Sequence, residues 1–186
     1  GRRMAKRAEL AGIGLSLESY FTAKEWQASK PENFSGEETR ESDGRVLMRN
    51  YSCPWHETFK MLDALDVGKV YCKYIDVHLL KGFNPDLGLN LHSVLHDSDQ
   101  CFFEWSPAKQ TDGQSHRAVR RGINYVKPFA YHLYHLYASF RNTLLKAPIK
   151  DVELLAEAAD KNLADYLAPE LIQDLKAHQN DEFESI

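Results

Sequence analysis

With 186 residues, the chain is long enough to bury the core of one domain. Hydrophobic residues make up 43% of it and charged residues 27%, which places it among globular chains and outside the range of disordered ones. The formal net charge of -4 gives no broad basic surface, so we expect no nucleic-acid partner.

The sequence also argues against a membrane or an oxidising compartment. No apolar run reaches the roughly 18 to 20 residues that a bilayer requires. The basic start from Gly1 to Arg7 is followed by Glu9 and Gly12, which interrupt any signal-peptide core, so we predict a cytoplasmic protein. The start at Gly1 rather than Met leaves room for a preceding segment. Three cysteines, an odd number, favour free reduced thiols over a disulfide framework.

Two short helices and a loop are predicted at the start of the chain. Met4 to Ala11 and Leu17 to Trp26 carry helical patterns, and Ser16 is a candidate cap for the second helix. The stretch from Ser29 to Gly44 is rich in acidic and turn-forming residues and has little to bury, which predicts a loop.

A strand and two helices are predicted next. Arg45 to Ser52 has the alternation of a strand and runs directly into a proline. Because proline favours the first helical position, a helix should begin at Pro54, run to about Asp66 and be ended by Gly68. A second helix is predicted from Lys69 to Lys81.

A hairpin is predicted after these helices. Leu87 to Leu95 alternates between apolar and polar side chains, which indicates a strand with one apolar face. Gln100 to Trp105 alternates in the same way after the polar turn from His96 to Asp99. We therefore expect the two strands to pair.

The C-terminal third is predicted to be helical. Apolar residues from Val119 to Leu144 repeat at steps of three and four, which indicates one long helix kinked at Pro128. A further helix should start after Asp151, and Pro169 should begin a last short helix that ends near His178.

Together the elements predict an α+β fold, with a small, mainly antiparallel sheet packed against helices and long C-terminal helices. We expect a single domain over residues 1–186, composed of a helical N-terminal region and polar loop (1–44), a core (45–106) and a helical region (115–178). The long helix after residue 118 is expected to cover the sheet. The C-terminal helices have three open roles: a lid, a surface for a homo-oligomer, or the missing wall of the core.

Cys53 is one candidate for a reactive thiol. It lies beside the start of the helix that Pro54 begins, where backbone N–H groups and the helix dipole lower a thiol pKa. His56 lies in the same helical turn, close enough to act as a base. The simpler interpretation of Cys53 is a small residue that fills a corner between strand and helix.

Cys72 and Asp76 are four residues apart on a predicted helix, so their side chains lie on the same face. A carboxylate there can accept a thiol proton or hold a cationic substrate, although a solvated surface charge would have the same spacing. Cys101 alternates in phase with Phe103 and Trp105, which is also the pattern of a core position.

The eight histidines do not form a metal motif. His132 and His135 are three residues apart on a helix, but no carboxylate completes the pattern and no C-x2-C pair exists in the chain. We predict no metal and no cofactor.

Four short segments resemble the core of the L-2-amino-thiazoline-4-carboxylic acid hydrolase family. They are N-Y-S-C-P from Asn50 to Pro54, Y-C-K-Y-I-D from Tyr71 to Asp76, G-F-N-P from Gly82 to Pro85, and the pair Cys101-Phe102. The resemblance covers about Asn50 to Trp105. The chain departs from the family in the D-S-D-Q sequence before Cys101, where the family has a Gly-Asp turn, and this leaves the substrate open.

The resemblance implies hydrolytic opening of a small, cyclic, amidine-like ring that bears a carboxylate, yielding a carbamoyl-cysteine. For this chemistry we predict Cys72 as nucleophile, Asp76 as its base or as an amidinium anchor, and Cys101 as a second thiol in the same pocket. If a nearby cation or helix end outweighs the carboxylate, the Cys72 thiolate should form below the roughly 8.5 of a free cysteine. An elevated pKa would make Asp76 the anchor and Cys53 the better nucleophile.

Four further residues are predicted to bind the substrate: Asn50, Cys53, His56 and His96. Asn50 is a possible donor to a developing negative charge. Two other classes of protein remain open. One is a biosynthetic enzyme that performs a cyclisation or a carbon-sulfur cleavage on the same scaffold. The other is a sensor module that holds a small ligand or a metal through the three thiols.

Overall fold

The computed structural model describes residues 1–27, 31–108, 126–181 and 183. It divides into two compact units, Gly1–Tyr125 and Val126–Ile186. That residues 1–186 form one domain stays a prediction. Within the described ranges, no helix combines the length and the apolar character needed to cross a membrane.

The described part of the first unit contains four α-helices and four strands. The helices are α1 (Arg2–Leu10), α2 (Leu17–Thr22), α3 (Pro54–Met61) and α4 (Leu65–Phe83). The strands are β1 (Ser35–Arg40), β2 (Val46–Ser52), β3 (Gly88–Ser93) and β4 (Cys101–Ser106). They form one antiparallel sheet in the order β1-β2-β4-β3. The predicted α+β fold and the predicted hairpin are therefore confirmed.

The two predicted N-terminal helices are confirmed, although the second is shorter than expected. α2 ends at Thr22, and its cap is the predicted one, because the Ser16 hydroxyl accepts the backbone N–H of Ser19 at 3.1 Å.

The predicted loop from Ser29 to Gly44 is wrong in its middle part. Residues 29 and 30 lie outside the described ranges, and Pro31–Asn33 forms a short 3-10 helix. Ser35–Arg40 is the edge strand β1, which pairs with β2. All six residues of β1 are exposed, so the strand depends on backbone pairing and leaves no apolar alternation in the sequence.

The boundary between α3 and α4 was also predicted wrongly. α3 ends at Met61, and Asp63 adopts a left-handed conformation with φ of 51°. α4 begins at Leu65 and runs through Gly68, which is buried inside it. A glycine in this helix does not end it, because another part of the chain packs against its bare Cα.

The core of the first unit lies between the sheet and helices α1, α2 and α4. The ring of Tyr20 lies 5.5 Å from the rings of both Phe83 and Trp105, and all three residues are buried. Cys101, Phe103 and Trp105 alternate along β4 as its buried positions. This arrangement directs Cys101 toward the helices.

The described part of the second unit contains three helices, α5 (Phe129–Leu145), α6 (Val152–Leu163) and α7 (Pro169–Ala177). The starts predicted after Asp151 and at Pro169 are confirmed. The kinked helix is wrong, because Pro128 is the N-cap of α5 and the residues just before it are not helical. Residues 119–125 of that prediction lie outside the described ranges. The covering of the sheet by this helix stays a prediction.

Candidate active site

A thiol and an imidazole meet in the first unit. Cys72 lies in the middle of α4, and His96 lies in the turn between β3 and β4. The Cys72 Sγ is 3.4 Å from the His96 Nε2, within hydrogen-bonding distance for sulfur. A thiol with an imidazole beside it is the arrangement that nucleophilic catalysis requires.

Three contacts fix the turn that carries His96. The Cα of Gly68 faces His96 so closely that a Cβ there would collide with the imidazole Cε1. The backbone N–H of Leu95 donates to the Cys101 Sγ at 3.3 Å. Asp97 forms an ion pair with Lys69 of α4 at 2.6 Å. Because the turn is held on both sides of His96, the imidazole has a defined place against α4.

A second imidazole packs against the first. The rings of His56 and His96 lie with their centroids 4.9 Å apart. Within the described residues, the Nδ1 atoms of both histidines are buried and have no hydrogen-bond partner. Burial, and then the nearby His56, lower the pKa of His96, while Asp97 opposes the shift. A neutral His96 is therefore favoured near pH 7, as a base requires.

The three thiols are near enough to influence one another's pKa values. Burial raises the pKa of Cys72 to about 12, and Cys101, Cys53 and Asp76 each add to the shift. Burial also raises the pKa of Cys101, against the N–H that Leu95 donates to its sulfur. The condition for a lowered Cys72 pKa, a cation or helix end that outweighs the carboxylate, is therefore not met, because burial and negative neighbours dominate.

Cys53 is not an acidic thiol either. It is the N-cap of α3, and the N–H groups of His56 and Trp55 face its sulfur and lower its pKa, but burial outweighs them and the pKa is raised. Neither thiol is favoured as nucleophile by its own acidity. What distinguishes Cys72 is the imidazole within hydrogen-bonding distance.

Asp76 influences the pKa values of the three thiols and of two nearby tyrosines. Burial raises its pKa, and the positive charge of Lys24 opposes the shift. After burial, Asp76 also contributes to the raised pKa of each of these groups: Tyr20, Cys53, Tyr71, Cys72 and Cys101. The predicted pairing of Cys72 and Asp76 on one helical face therefore has a physical consequence. The carboxylate disfavours a free thiolate, so it suits the anchoring of a cation better than the activation of the thiol.

Aromatic rings border the thiols and histidines. Trp55 lies 6.4 Å from Tyr71 and 6.0 Å from Trp26, measured between ring centroids. Phe59 lies 5.9 Å from Tyr71 and 5.8 Å from His96. Such rings provide an apolar wall for a small planar ligand.

Asn50 is placed opposite Cys101 in the register of β2 and β4. Directly opposed residues of an antiparallel pair project to the same face, so Asn50 lies on the face that carries Cys101. Its amide is the donor and acceptor that β2 presents there.

Several residues of this environment were not predicted from the sequence. Two of them are Lys24 and Trp26, which are distant from the cysteines along the chain. The third is Gly68, which in the sequence is typical of a helix end. One signal did exist for Lys24: a carboxylate-bearing substrate requires a cation, and none of the nominated residues has a fixed positive charge. No group of three or more His, Cys, Asp or Glu side chains within the described ranges is arranged to hold a metal. The absence of metal and cofactor stays a prediction, which elemental analysis of the purified protein tests.

The fold and the site define a small α+β protein with a half-buried thiol–imidazole pair, a negative charge and an aromatic wall. Residues 1–105 match the family model described as L-2-amino-thiazoline-4-carboxylic acid hydrolase, and the chain belongs to that family. The match covers all of the elements that build the site up to Trp105. No curated protein and no solved structure matches the chain significantly.

Proposed function

We propose that this protein hydrolyses a small cyclic amidine that bears a carboxylate, with Cys72 as nucleophile and His96 as base. The contact of 3.4 Å between Cys72 Sγ and His96 Nε2 carries this proposal. Membership in a family named for hydrolysis of a thiazoline carboxylate supports the class of substrate.

The first half of the reaction opens the ring. His96 accepts the thiol proton while the Cys72 sulfur attacks the ring carbon that is bonded to two nitrogens and a sulfur. Asp76 holds the amidinium during the attack by a charge-assisted hydrogen bond. The ring carbon–sulfur bond breaks, and the departing sulfur takes the proton from His96. The substrate carbon remains attached to Cys72 as an isothiouronium.

The second half restores the enzyme. Water adds to the isothiouronium carbon and gives a proton to His96. The bond to Cys72 then breaks, the Cys72 sulfur regains that proton, and the amidinium proton leaves to solvent. The product is a carbamoyl-cysteine with a free thiol, and one water is consumed. Asn50, on the face that carries Cys101, is a donor for the oxygen that develops on this carbon.

This mechanism explains how a thiol with a pKa of about 12 can react at neutral pH. The proton moves to His96 during the attack, so no free thiolate accumulates in the resting site. Cys53 is the second candidate nucleophile, favoured by the N–H groups of His56 and Trp55 that face its sulfur.

Release of thiol from L-2-amino-thiazoline-4-carboxylic acid tests the proposal. We expect turnover by the wild type and none by Cys72→Ala or His96→Gln. The matched control is His92→Gln, because His92 is exposed and stacks on Phe102 at 4.5 Å instead of contacting a thiol. Full activity of His96→Gln contradicts the pair, and loss in Cys53→Ala alone moves the nucleophile to Cys53.

The biosynthetic alternative differs in the use of water. In water labelled with a heavy oxygen isotope, hydrolysis places one labelled oxygen in the carbamoyl group. A cyclisation or a carbon-sulfur cleavage without water leaves the product unlabelled. A sensor module binds the ligand and releases no thiol.

A further inference from the structure

Lys24 lies in the segment that follows α2, and this segment is held firmly in place. Its neighbour Glu25 is buried, with an exposed fraction of 7%. Arg3 donates to both carboxylate oxygens of Glu25, at 3.0 and 2.6 Å, and Arg7 forms a second ion pair with it. Two arginines of α1 thus fix the backbone beside Lys24.

Trp26, two residues after Lys24, contacts the start of α3. The ring of Trp26 lies 6.0 Å from that of Trp55, which directly precedes His56 in α3. Lys24 is therefore followed directly by a buried ionic anchor and then by an aromatic contact with the start of α3, where Cys53 is the N-cap.

The ammonium group of Lys24 is placed over aromatic rings. Its Nζ lies 5.0 Å from the ring centroid of Phe21 and 5.8 Å from that of Tyr20. Burial lowers the pKa of Lys24, and the negative charge of the nearby Asp76 opposes this shift. Asp76 also raises the pKa of all three thiols. In the described part of the chain, however, neither Lys24 nor Asp76 has an ion-pair or hydrogen-bond partner. Two opposite charges thus lie near each other without forming an ion pair.

We infer that Lys24 binds the carboxylate of the substrate while Asp76 binds its cationic amidine, so that the site selects zwitterionic ring compounds. The inference rests on the proposed function for the identity of the ring. A ligand with both charges satisfies Lys24 and Asp76 together, whereas a ligand without the carboxylate leaves Lys24 without an anionic partner. The two charged contacts then discriminate between ligands more strongly than the aromatic wall does.

A comparison of two ligands and two lysines tests this role. The ligands are L-2-amino-thiazoline-4-carboxylic acid and 2-aminothiazoline, which has the same ring without the carboxylate. Lys24→Met removes the charge and keeps the length of the side chain. Lys73→Met is the matched control, because Lys73 is also exposed and also lies over an aromatic ring, at 5.5 Å from the Tyr74 centroid.

We expect Lys24→Met to raise KM for the carboxylate ligand roughly ten- to a hundredfold, as for the loss of one charged hydrogen bond. The KM for 2-aminothiazoline should be unchanged, kcat should change little, and Lys24→Arg should recover part of the loss. Equal effects on both ligands, or an equal effect of Lys73→Met, overturn the inference.

The proposed function can fail separately. If the wild type turns over neither ligand, the same two ligands are compared by calorimetric binding. If the wild type binds the carboxylate ligand and only Lys24→Met weakens this binding, the result supports the carboxylate site and rejects hydrolysis. Equal binding by all variants, or no binding of either ligand, overturns the role of Lys24.

Discussion

Gly68 and His96 are in such close contact that the helix must present a bare Cα to the imidazole. A Cβ at position 68 would collide with the His96 Cε1 and come within 2.6 Å of the Phe59 ring. Gly68→Ala, which in most helices stabilises by roughly 1 kcal/mol, should here displace His96 from Cys72. We expect kcat to fall at least tenfold, with no gain in thermal stability.

The control for this substitution is Gly14→Ala, because nothing lies within 4 Å of a Cβ built at Gly14. Activity should be unchanged there. A Gly68→Ala protein with normal kcat would show that the position of His96 against α4 does not matter for turnover.

Asp76→Asn should remove the anchor for the amidinium while preserving the size of the side chain. We expect kcat/KM for the thiazoline carboxylate to fall roughly a hundredfold, with a normal melting curve. Because Asp76 contributes to the raised thiol pKa values, the substitution should also make Cys72 react faster with iodoacetamide at a given pH. An inactive variant with unchanged thiol reactivity would place Asp76 away from the thiols.

The decrease of kcat/KM at acidic pH should report the protonation of the His96 imidazole. Its pKa is lowered from 6.5, so the imidazole is neutral above that range and becomes protonated as the pH falls through the lowered value. We expect kcat/KM to be maintained down to pH 6.5 and to decline below it. An acid limb centred above pH 6.5 would contradict a base with a lowered pKa.

The same shift predicts how His96 affects stability. Because the folded pKa lies below the unfolded one, the unfolded chain binds more protons between the two values. The contribution of His96 therefore decreases the free energy of unfolding as the pH is lowered through this window. Replacing His96 with Gln should flatten that part of the stability profile, as measured by urea unfolding.

Glu25 should be a major contributor to stability, since its removal leaves two buried arginines without their carboxylate. The side chains of Arg3, Arg7 and Glu25 are exposed by only 14%, 10% and 7%. We expect Glu25→Ala to lower the free energy of unfolding by about 3 to 5 kcal/mol. Glu38→Ala, which breaks an exposed pair with Arg40, should cost at most about 1 kcal/mol. Similar losses in the two variants would disprove a buried anchor.

Elements with apolar periodicity could be predicted from the sequence, and those without it could not. The hairpin of β3 and β4 and the helix beginning at Pro54 follow from alternation and from proline. β1 has six exposed residues and is held by pairing with β2, which a single sequence does not reveal. The sequence predicts a helix end at Gly68, because the packing of this glycine against His96 is a tertiary contact that no local pattern reveals.

The candidate site was predicted as far as local spacing allowed. Cys72 and Asp76 are on one helical face by their spacing alone, and Cys53 is a candidate by its position beside Pro54. The family resemblance added a role for Cys101. The contact of His96 with Cys72 depends on how the hairpin turn docks on α4, 24 residues away along the chain. Lys24 precedes Cys72 by more than two secondary-structure elements, so only the folded chain places it near Asp76.

Trapping the covalent intermediate tests the central claim most directly. Wild-type protein mixed with L-2-amino-thiazoline-4-carboxylic acid and quenched in acid within one turnover should gain the mass of one intact substrate, because ring opening loses no atoms. Peptide mapping should place this mass on Cys72, and the Cys72→Ala protein should gain none. The adduct on Cys53 or Cys101, or turnover by Cys72→Ala without any adduct, would contradict the account.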